Sequence, residues 1–269
     1  MCPNGSVTTW YTERMNSQKL LSKVPEITAI FWITKVLTTG MGETASDYLA
    51  HQFAPVVAVA LGGIGLVVAL VLQFSVRKYV PWTYWLAVVM VSVFGTMAAD
   101  VLHVGLGIPY VVSTLFYATV LAIIFFVWHK VEKSLSIHSI YTRRRELFYW
   151  ATILTTFALG TAAGDMTAST ISLGYLTSGI LFAVIMALPV IGYFIFGMCE
   201  IFAFWFAYIV TRPLGASFAD WMGVTTDRGG LGWGTGPVTL ALTIVIVCLV
   251  GYLTVTREDV ESDGVARST

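Results

Sequence analysis

Apolar residues run along this chain in eight long blocks separated by short polar stretches, near residues 26–49, 54–76, 81–104, 109–128, 146–168, 174–197, 199–222 and 236–256. Each block reaches the roughly 20 residues that an α-helix needs to cross a bilayer core of about 30 Å. The pattern therefore predicts eight transmembrane helices of two alternating kinds. The second member of each pair is nearly featureless: residues 54–72, 109–128, 174–197 and 236–256 contain no Asp, Glu, Lys, Arg or His. The first member carries polar and charged side chains, which need protein or water partners inside a bilayer. The odd-numbered helices are thus expected at the bundle centre, with the even-numbered ones facing lipid or bracing the outside.

In every odd block a Trp is followed ten residues later by a Gly and five after that by an Asp: Trp32-Gly42-Asp47, Trp85-Gly95-Asp100, Trp150-Gly160-Asp165 and Trp205-Gly215-Asp220. The repeating unit is two helices. An even number of crossings per unit means that all copies enter the membrane in the same sense, related by an axis along the membrane normal. The expected fold class is an all-α integral membrane protein with eight transmembrane helices in four parallel two-helix repeats. Its divisions are an N-terminal segment 1–24, a four-helix half 25–128, a basic linker 129–145, a second half 146–256 and a tail 257–269.

Composition agrees, since 57% hydrophobic against 11% charged residues leaves too little polarity for a water-facing surface. Positive residues are retained on the cytoplasmic side of short loops. Arg14, Lys19, Lys23, Arg77, Lys78, Lys130, Lys133, Arg143, Arg144, Arg145, Arg257 and Arg267 fall on one side and Arg228 alone on the other, which places both termini inside. The first polar residues lack the apolar run of a cleavable signal, so the first helix is expected to direct insertion. Arg143-Arg144-Arg145 reads as a headgroup contact and topology signal rather than a nucleic-acid site. The acidic tail from Arg257, with Glu258, Asp259, Glu261 and Asp263, is expected to be disordered. Cys2, Cys199 and Cys248 are odd in number and far apart, against both a disulfide framework and a zinc cluster.

Lys23-Val24-Pro25-Glu26 leading into Phe31-Trp32, then Gly40-Met41-Gly42-Glu43-Thr44 with Ser46-Asp47, together with the three weaker copies, resembles a bacterial family of multi-pass membrane proteins built from four copies of a repeat of unknown function. The resemblance covers residues 23 to about 222. It implies the bacterial cytoplasmic (inner) membrane and supplies no activity. The later copies replace Glu43 by Thr96, Thr161 and Ala216, so the repeats are not functionally equal.

Residues four apart share a helix face, so each Asp defines a stripe. The first helix gives Lys35, Thr39, Glu43, Asp47 and His51, and the third gives Ser92, Thr96 and Asp100 with His103 beyond. The fifth gives Thr161 and Asp165, and the seventh Tyr208, Arg212 and Asp220. Converging stripes would line a polar path through Thr39, Ser92, Thr96 and Thr161. Asp47, Asp100, Asp165, Asp220 and Glu43 form a candidate cation or proton site, with His51 and His103 as metal co-ligands at helical spacing. The alternative is structural: Asp47 lies about 33 Å along the helix from Pro25, near the outer interface, where Trp would anchor, Gly pack and Asp cap. Lys35 and Arg212 lie within the span and need partners, with Glu43 or a repeat aspartate as the candidate for Arg212. Gly42, Gly95, Gly160 and Gly215 serve either packing or hinging, and Pro213 is a candidate kink.

No phosphate loop, nucleophile elbow or zinc-protease motif is present, and Gly229–Gly236 reads as a flexible outer connection. The chain is therefore not expected to be an enzyme. The leading expectation is a transporter of a small cation, either a metal ion or one exchanged for protons, with the lipid bilayer and that cation as partners and no other cofactor. A non-transporting scaffold or sensor is the alternative, with an intramembrane enzyme behind it.

Overall fold

The computed structural model describes residues 22–260. It contains eight long α-helices and no strand among the described residues: α1 Ala29–Gln52, α2 Pro55–Ser75, α3 Pro81–Asp100, α4 Tyr110–Glu132, α5 Arg143–Asp165, α6 Gly174–Phe196, α7 Glu200–Gly223 and α8 Thr235–Thr256. Arg14, Lys19, Cys2, Glu261, Asp263 and Arg267 lie outside the described residues. Seven of the eight helices are long and apolar enough to cross a membrane. The exception is α1, because Lys35, Glu43, Asp47 and a run of threonines lower its hydropathy. The chain is a helical multi-pass membrane protein.

The odd helices form a closed inner ring in which α1 packs on α3, α3 on α5, α5 on α7, and α7 back on α1. The even helices lie outside. In their most apolar stretches only 17–22% of residues are buried, against 56–67% for α3, α5 and α7. Each outer helix braces mainly the inner helix of the next repeat: α2 lies on α3, α4 on α5, α6 on α7, and α8 returns to α1. The last helix therefore completes the support of the first, and the ring has no open edge.

The motif glycines set the ring's closeness. A Cβ on Gly42 would collide with Ser92, and one on Gly160 with the stem of Arg212. A Cβ on Gly95 would fall 2.7 Å from Phe157 Cβ, and one on Gly215 would strike Thr39 and lie 2.7 Å from the Val36 carbonyl oxygen. Each Gly thus seats the residue that stands three positions before the motif Gly of the neighbouring inner helix. Close packing, the use small residues have at membrane helix contacts, accounts for all four. Pro213 lies within the continuous helix α7, packed over Gly160 and Gly164.

Local signals fix the helix ends. The Thr28 and Thr142 hydroxyls accept from the amides of Phe31 and Arg145, capping α1 and α5. Pro55 and Pro81 occupy the first turns of α2 and α3, where a missing N–H costs nothing. After Asp100 and Asp165 the chain continues as wider π-helical turns, Val101–Gly105 and Met166–Thr170.

At the helix ends on the α1 N-terminal side, residues 22–28 stitch the bundle together. Lys23 Nζ donates to Glu146 at 2.6 Å and Gln73 Nε2 to the same carboxylate at 3.2 Å, both buried. The Tyr79 amide donates to the Ser22 carbonyl, the Lys23 amide to that of Ile140, and the Glu26 amide to that of Asp259. Tyr79 also donates its hydroxyl to the Asp259 carboxylate.

Several local expectations change. The tail is docked through its buried Asp259 as far as residue 260 rather than leaving disordered at Arg257. The linker begins after Glu132 rather than at 129, because α4 runs one more turn and Glu132 accepts from Arg144 and, at 2.7 Å, from Arg145. Two members of the arginine run thus hold an ion-pair cluster. The Gly-rich loop between α7 and α8 is folded back on α7, with Leu231, Trp233 and Gly234 amides donating to the carbonyls of Trp221, Met222 and Gly223. Trp85, Trp150 and Trp205 are core residues packed among Phe31, Tyr84, Tyr149 and Phe204, not interfacial anchors.

Gly215→Ala presses a methyl against the α1 backbone and should cost about 1–3 kcal/mol of stability in detergent. Gly251→Ala, on the outer helix α8 with nothing within 4 Å, should stay within about 0.5 kcal/mol of the parent. Equal effects in a thermal or denaturant unfolding assay would contradict the packing role.

Candidate functional site

Because the inner helices are parallel and in register, their four-residue stripes meet as layers on the bundle axis. Lys35, Val88, Ile153 and Tyr208 form one layer, followed outward by Thr39, Ser92, Phe157 and Arg212. Next come Glu43, Thr96, Thr161 and Ala216, and finally the four aspartates. The fourfold pattern is broken at particular positions, and the breaks carry the charge.

Arg212 is fully buried. Its guanidinium donates to the Glu43 carboxylate, to the Thr96 hydroxyl and, at 2.7 Å, to the Thr161 hydroxyl. A further N–H reaches the Thr39 carbonyl at 3.1 Å. One side chain of the fourth repeat thus binds the other three, in the layer where its own helix offers only Ala216. Charge-assisted bonds of this kind are the strong ones, and a partner removed at this depth leaves an uncompensated charge. Of the two candidates the sequence left for Arg212, Glu43 or a repeat aspartate, Glu43 is its partner.

The outer layer gathers carboxylates. One oxygen each from Glu43, Asp165 and Asp220 lie within 4.8 Å of one another. Asp47 and Asp100 lie within electrostatic reach of Glu43 and Arg212. None of the four aspartate side chains is hydrogen-bonded to the described residues, and the C-caps of α1 and α7 are Phe53 and Val224. Capping therefore does not explain the repeated Asp. Arg228, on the loop between α7 and α8, donates to the Tyr175 hydroxyl at 2.8 Å and reaches the field of Asp47 and Asp165. The resulting cluster, termed the cup, sets five carboxylates within electrostatic reach of Arg212, with Arg228 acting on Asp47 and Asp165.

The histidines are not in this group. His51 is exposed, with its ring 2.6 Å from the carbonyl of Asp47. His103 Nδ1 is 2.9 Å from the Ser113 hydroxyl, and its ring packs on Tyr110 at 4.4 Å, toward α4. For His103 the cause is the π turn that starts immediately after Asp100, since α-helical i,i+3 spacing does not hold through it.

Below the cup the axis is closed. Thr39 donates to carbonyls of α1 and α7, while Thr96 and Thr161 bind Arg212, so the expected polar path is a set of occupied bonds. Lys35 is 1% exposed, and its Nζ lies 4.0 Å from the Phe157 ring centre and 4.1 Å from that of Tyr208. Beneath it, the Tyr84 and Tyr149 hydroxyls lie 2.6 Å apart. The sequence stripes missed these tyrosines and Phe157. A usable signal was present: an aromatic residue precedes the motif Trp in every repeat, as Phe31, Tyr84, Tyr149 and Phe204.

Thr161→Val removes an acceptor from a buried guanidinium and should cost about 1.5–3 kcal/mol of stability. Thr155→Val, nearly two turns away, loses only a bond to the Ala151 carbonyl of its own helix and should stay within about 0.5 kcal/mol of the parent. Chemical unfolding of both variants in one detergent measures the difference. Equal losses would show that Thr161 contributes nothing through Arg212.

The family described as Repeat of Unknown Function (DUF347) matches residues 30–79, 83–134, 148–197 and 203–259, extending the resemblance through α8. Each match holds one inner and one outer helix, the unit read from the Trp-Gly-Asp spacing. No curated protein and no solved structure matches. Four matches covering most of the chain make it a member of the family described as Repeat of Unknown Function (DUF347).

Proposed function

We propose that this protein is a carrier of a small cation, a metal ion or one exchanged for protons, and that the cup of Glu43, Asp47, Asp100, Asp165 and Asp220 is its binding site. The observation that carries the reading is the approach of Glu43, Asp165 and Asp220 to within 4.8 Å. Oxygen ligands of a hard cation stand about 2.0–2.6 Å from it, hence at most about 5 Å from one another. Three carboxylates brought to that spacing repel unless a cation or protons lie between them.

The lysine and arginine bias supports an orientation with both termini in the cytoplasm, and the family resemblance supports a bacterial cytoplasmic membrane. In that orientation the cup faces outward. The Arg212 node closes its floor, and a cation that takes Glu43 as a ligand competes with Arg212 for the same carboxylate. Loosening that node is a direct means of linking occupancy to a change in the ring. A non-transporting scaffold is the second reading, favoured by the pairing of Arg212 with three other repeats. Neither reading assigns catalysis to the chain.

The experiment is thermal stability of the purified protein across monovalent, divalent and trivalent cations at fixed pH and ionic strength. The carrier reading expects saturable stabilisation by a subset, about 2.7 kcal/mol at a hundredfold excess over Kd. The Asp165→Asn/Asp220→Asn variant should lose it. A flat response across the panel, or an equal response in the variant, would favour the scaffold.

A further inference from the structure

Lys35 is a buried cationic side chain of the inner ring that neither the cup nor the Arg212 node engages. It stands two helical turns below Glu43, about 12 Å along α1 by the rise per residue. Its Nζ has no hydrogen-bond partner among the described residues. Two aromatic faces hold it instead, Phe157 from α5 and Tyr208 from α7. Such faces favour an ammonium through the ring quadrupole, yet leave the neutral amine equally well packed. An arginine at this site would keep its charge, whereas a lysine can release a proton.

The surroundings supply both a reason for release and a direction. The charged group facing Lys35 from α7 is Arg212, a like charge whose counter-ion Glu43 is also a cup ligand. On the opposite side, the ionisable groups are the hydroxyls of Tyr208 from α7, Tyr149 from α5 and Tyr84 from α3. Helix α2 brings no ionisable side chain, and the Cys248 and Tyr252 side chains of α8 belong to exposed residues. The Tyr208 hydroxyl is without a partner among the described residues, and the Tyr149–Tyr84 pair lies next. The Tyr84 ring meets that of Tyr79 at 5.6 Å, and Tyr79 donates to Asp259 at the end of the bundle opposite the cup. Tyrosine side chains therefore descend from Lys35 toward the face away from the cup, with Tyr84 and Tyr149 in hydroxyl contact.

We propose that Lys35 is a proton-binding site that empties when a cation occupies the cup and refills when the cation leaves, making the protein a cation–proton exchanger. This rests on the cup being a cation site. A cation on Glu43 withdraws the negative charge that offsets Arg212, and the rise in positive potential at Lys35 expels its proton. The N–H bond of the ammonium breaks, the electron pair stays on Nζ as a neutral amine, and the proton passes to the tyrosine hydroxyls and on to water. The reverse step restores the ammonium as the cation departs.

The test uses Mn²⁺ as probe on the purified full chain, with binding counted by electron paramagnetic resonance and proton release by a pH indicator in weak buffer. Cup carboxylates release protons in any variant, so the difference is the readout. Lys35→Met, which has no proton to expel, is expected to bind Mn²⁺ about tenfold or more tightly than the parent and to release about one proton fewer per bound ion. Tyr149→Phe, which keeps the ring, covers the case in which Lys35→Met does not fold. In liposomes it should slow Mn²⁺-driven proton movement at least about tenfold without changing Mn²⁺ affinity. Equal proton release by parent and Lys35→Met overturns the proposal while leaving the cup as a cation site, and so does unchanged proton movement in Tyr149→Phe. Absence of Mn²⁺ binding by the parent removes the cup reading for this ion class and the exchange proposal with it.

Discussion

A guanidinium at membrane depth needs hydrogen-bond acceptors around it, and the Arg212 site gathers them at its two terminal nitrogens from α1, α3 and α5 at once, leaving Nε without a partner among the described residues. Few arrangements other than a closed ring bring three foreign helices to one point on a fourth. Gly160 leaves the notch through which the Arg212 stem reaches the axis, and Ala216 keeps the layer above it free on the arginine's own helix. The ring's register, its tight glycine contacts and the depth of Glu43 are all conditions for this one side chain to be satisfied.

Symmetry and its breaking divide the work. What the four repeats share, the Trp-Gly-Asp frame and an apolar brace, builds a pseudo-fourfold scaffold that the circular offset of outer helices locks without a free edge. What they do not share lies on the axis: Lys35, Arg212, Glu43 and the Tyr84–Tyr149 pair occupy layers whose equivalent positions are apolar, hydroxylic or differently aromatic. Four identical positive layers would repel, whereas one arginine and one lysine beneath five carboxylates leave an excess of negative charge in the cup. A gene built by duplication reaches that state by changing a few residues while the packing frame stays constant.

The residues disclosed the architecture better than the contacts. Ionisable groups confined to alternate apolar blocks marked α1, α3, α5 and α7 as the inner helices, because only buried partners can satisfy them in lipid. The need of Arg212 for a carboxylate was legible for the same reason. The partnership of each outer helix with the next repeat was not, since helices without polar groups carry no directional signal. His103 misled because helical spacing was extended past Asp100 into a π turn, and His51 because the end of α1 leaves its ring exposed. Lys35 was expected to need a partner, but its kind was not legible: two aromatic faces, from α5 and α7, take that place. The tail looked disordered by composition, yet a single buried Asp259 docks its first residues.

The central claim is that Glu43 and Arg212 act as one unit on the axis. It is tested most directly by a double-mutant cycle, measuring unfolding free energy in detergent for the parent, Glu43→Gln, Arg212→Met and the double variant. The account predicts that each single change costs about 3–5 kcal/mol by leaving its partner unpaired in a buried setting. The double variant should recover at least about 2 kcal/mol of their sum. Single losses that add to within about 0.5 kcal/mol would contradict it, because the two groups would then be independent.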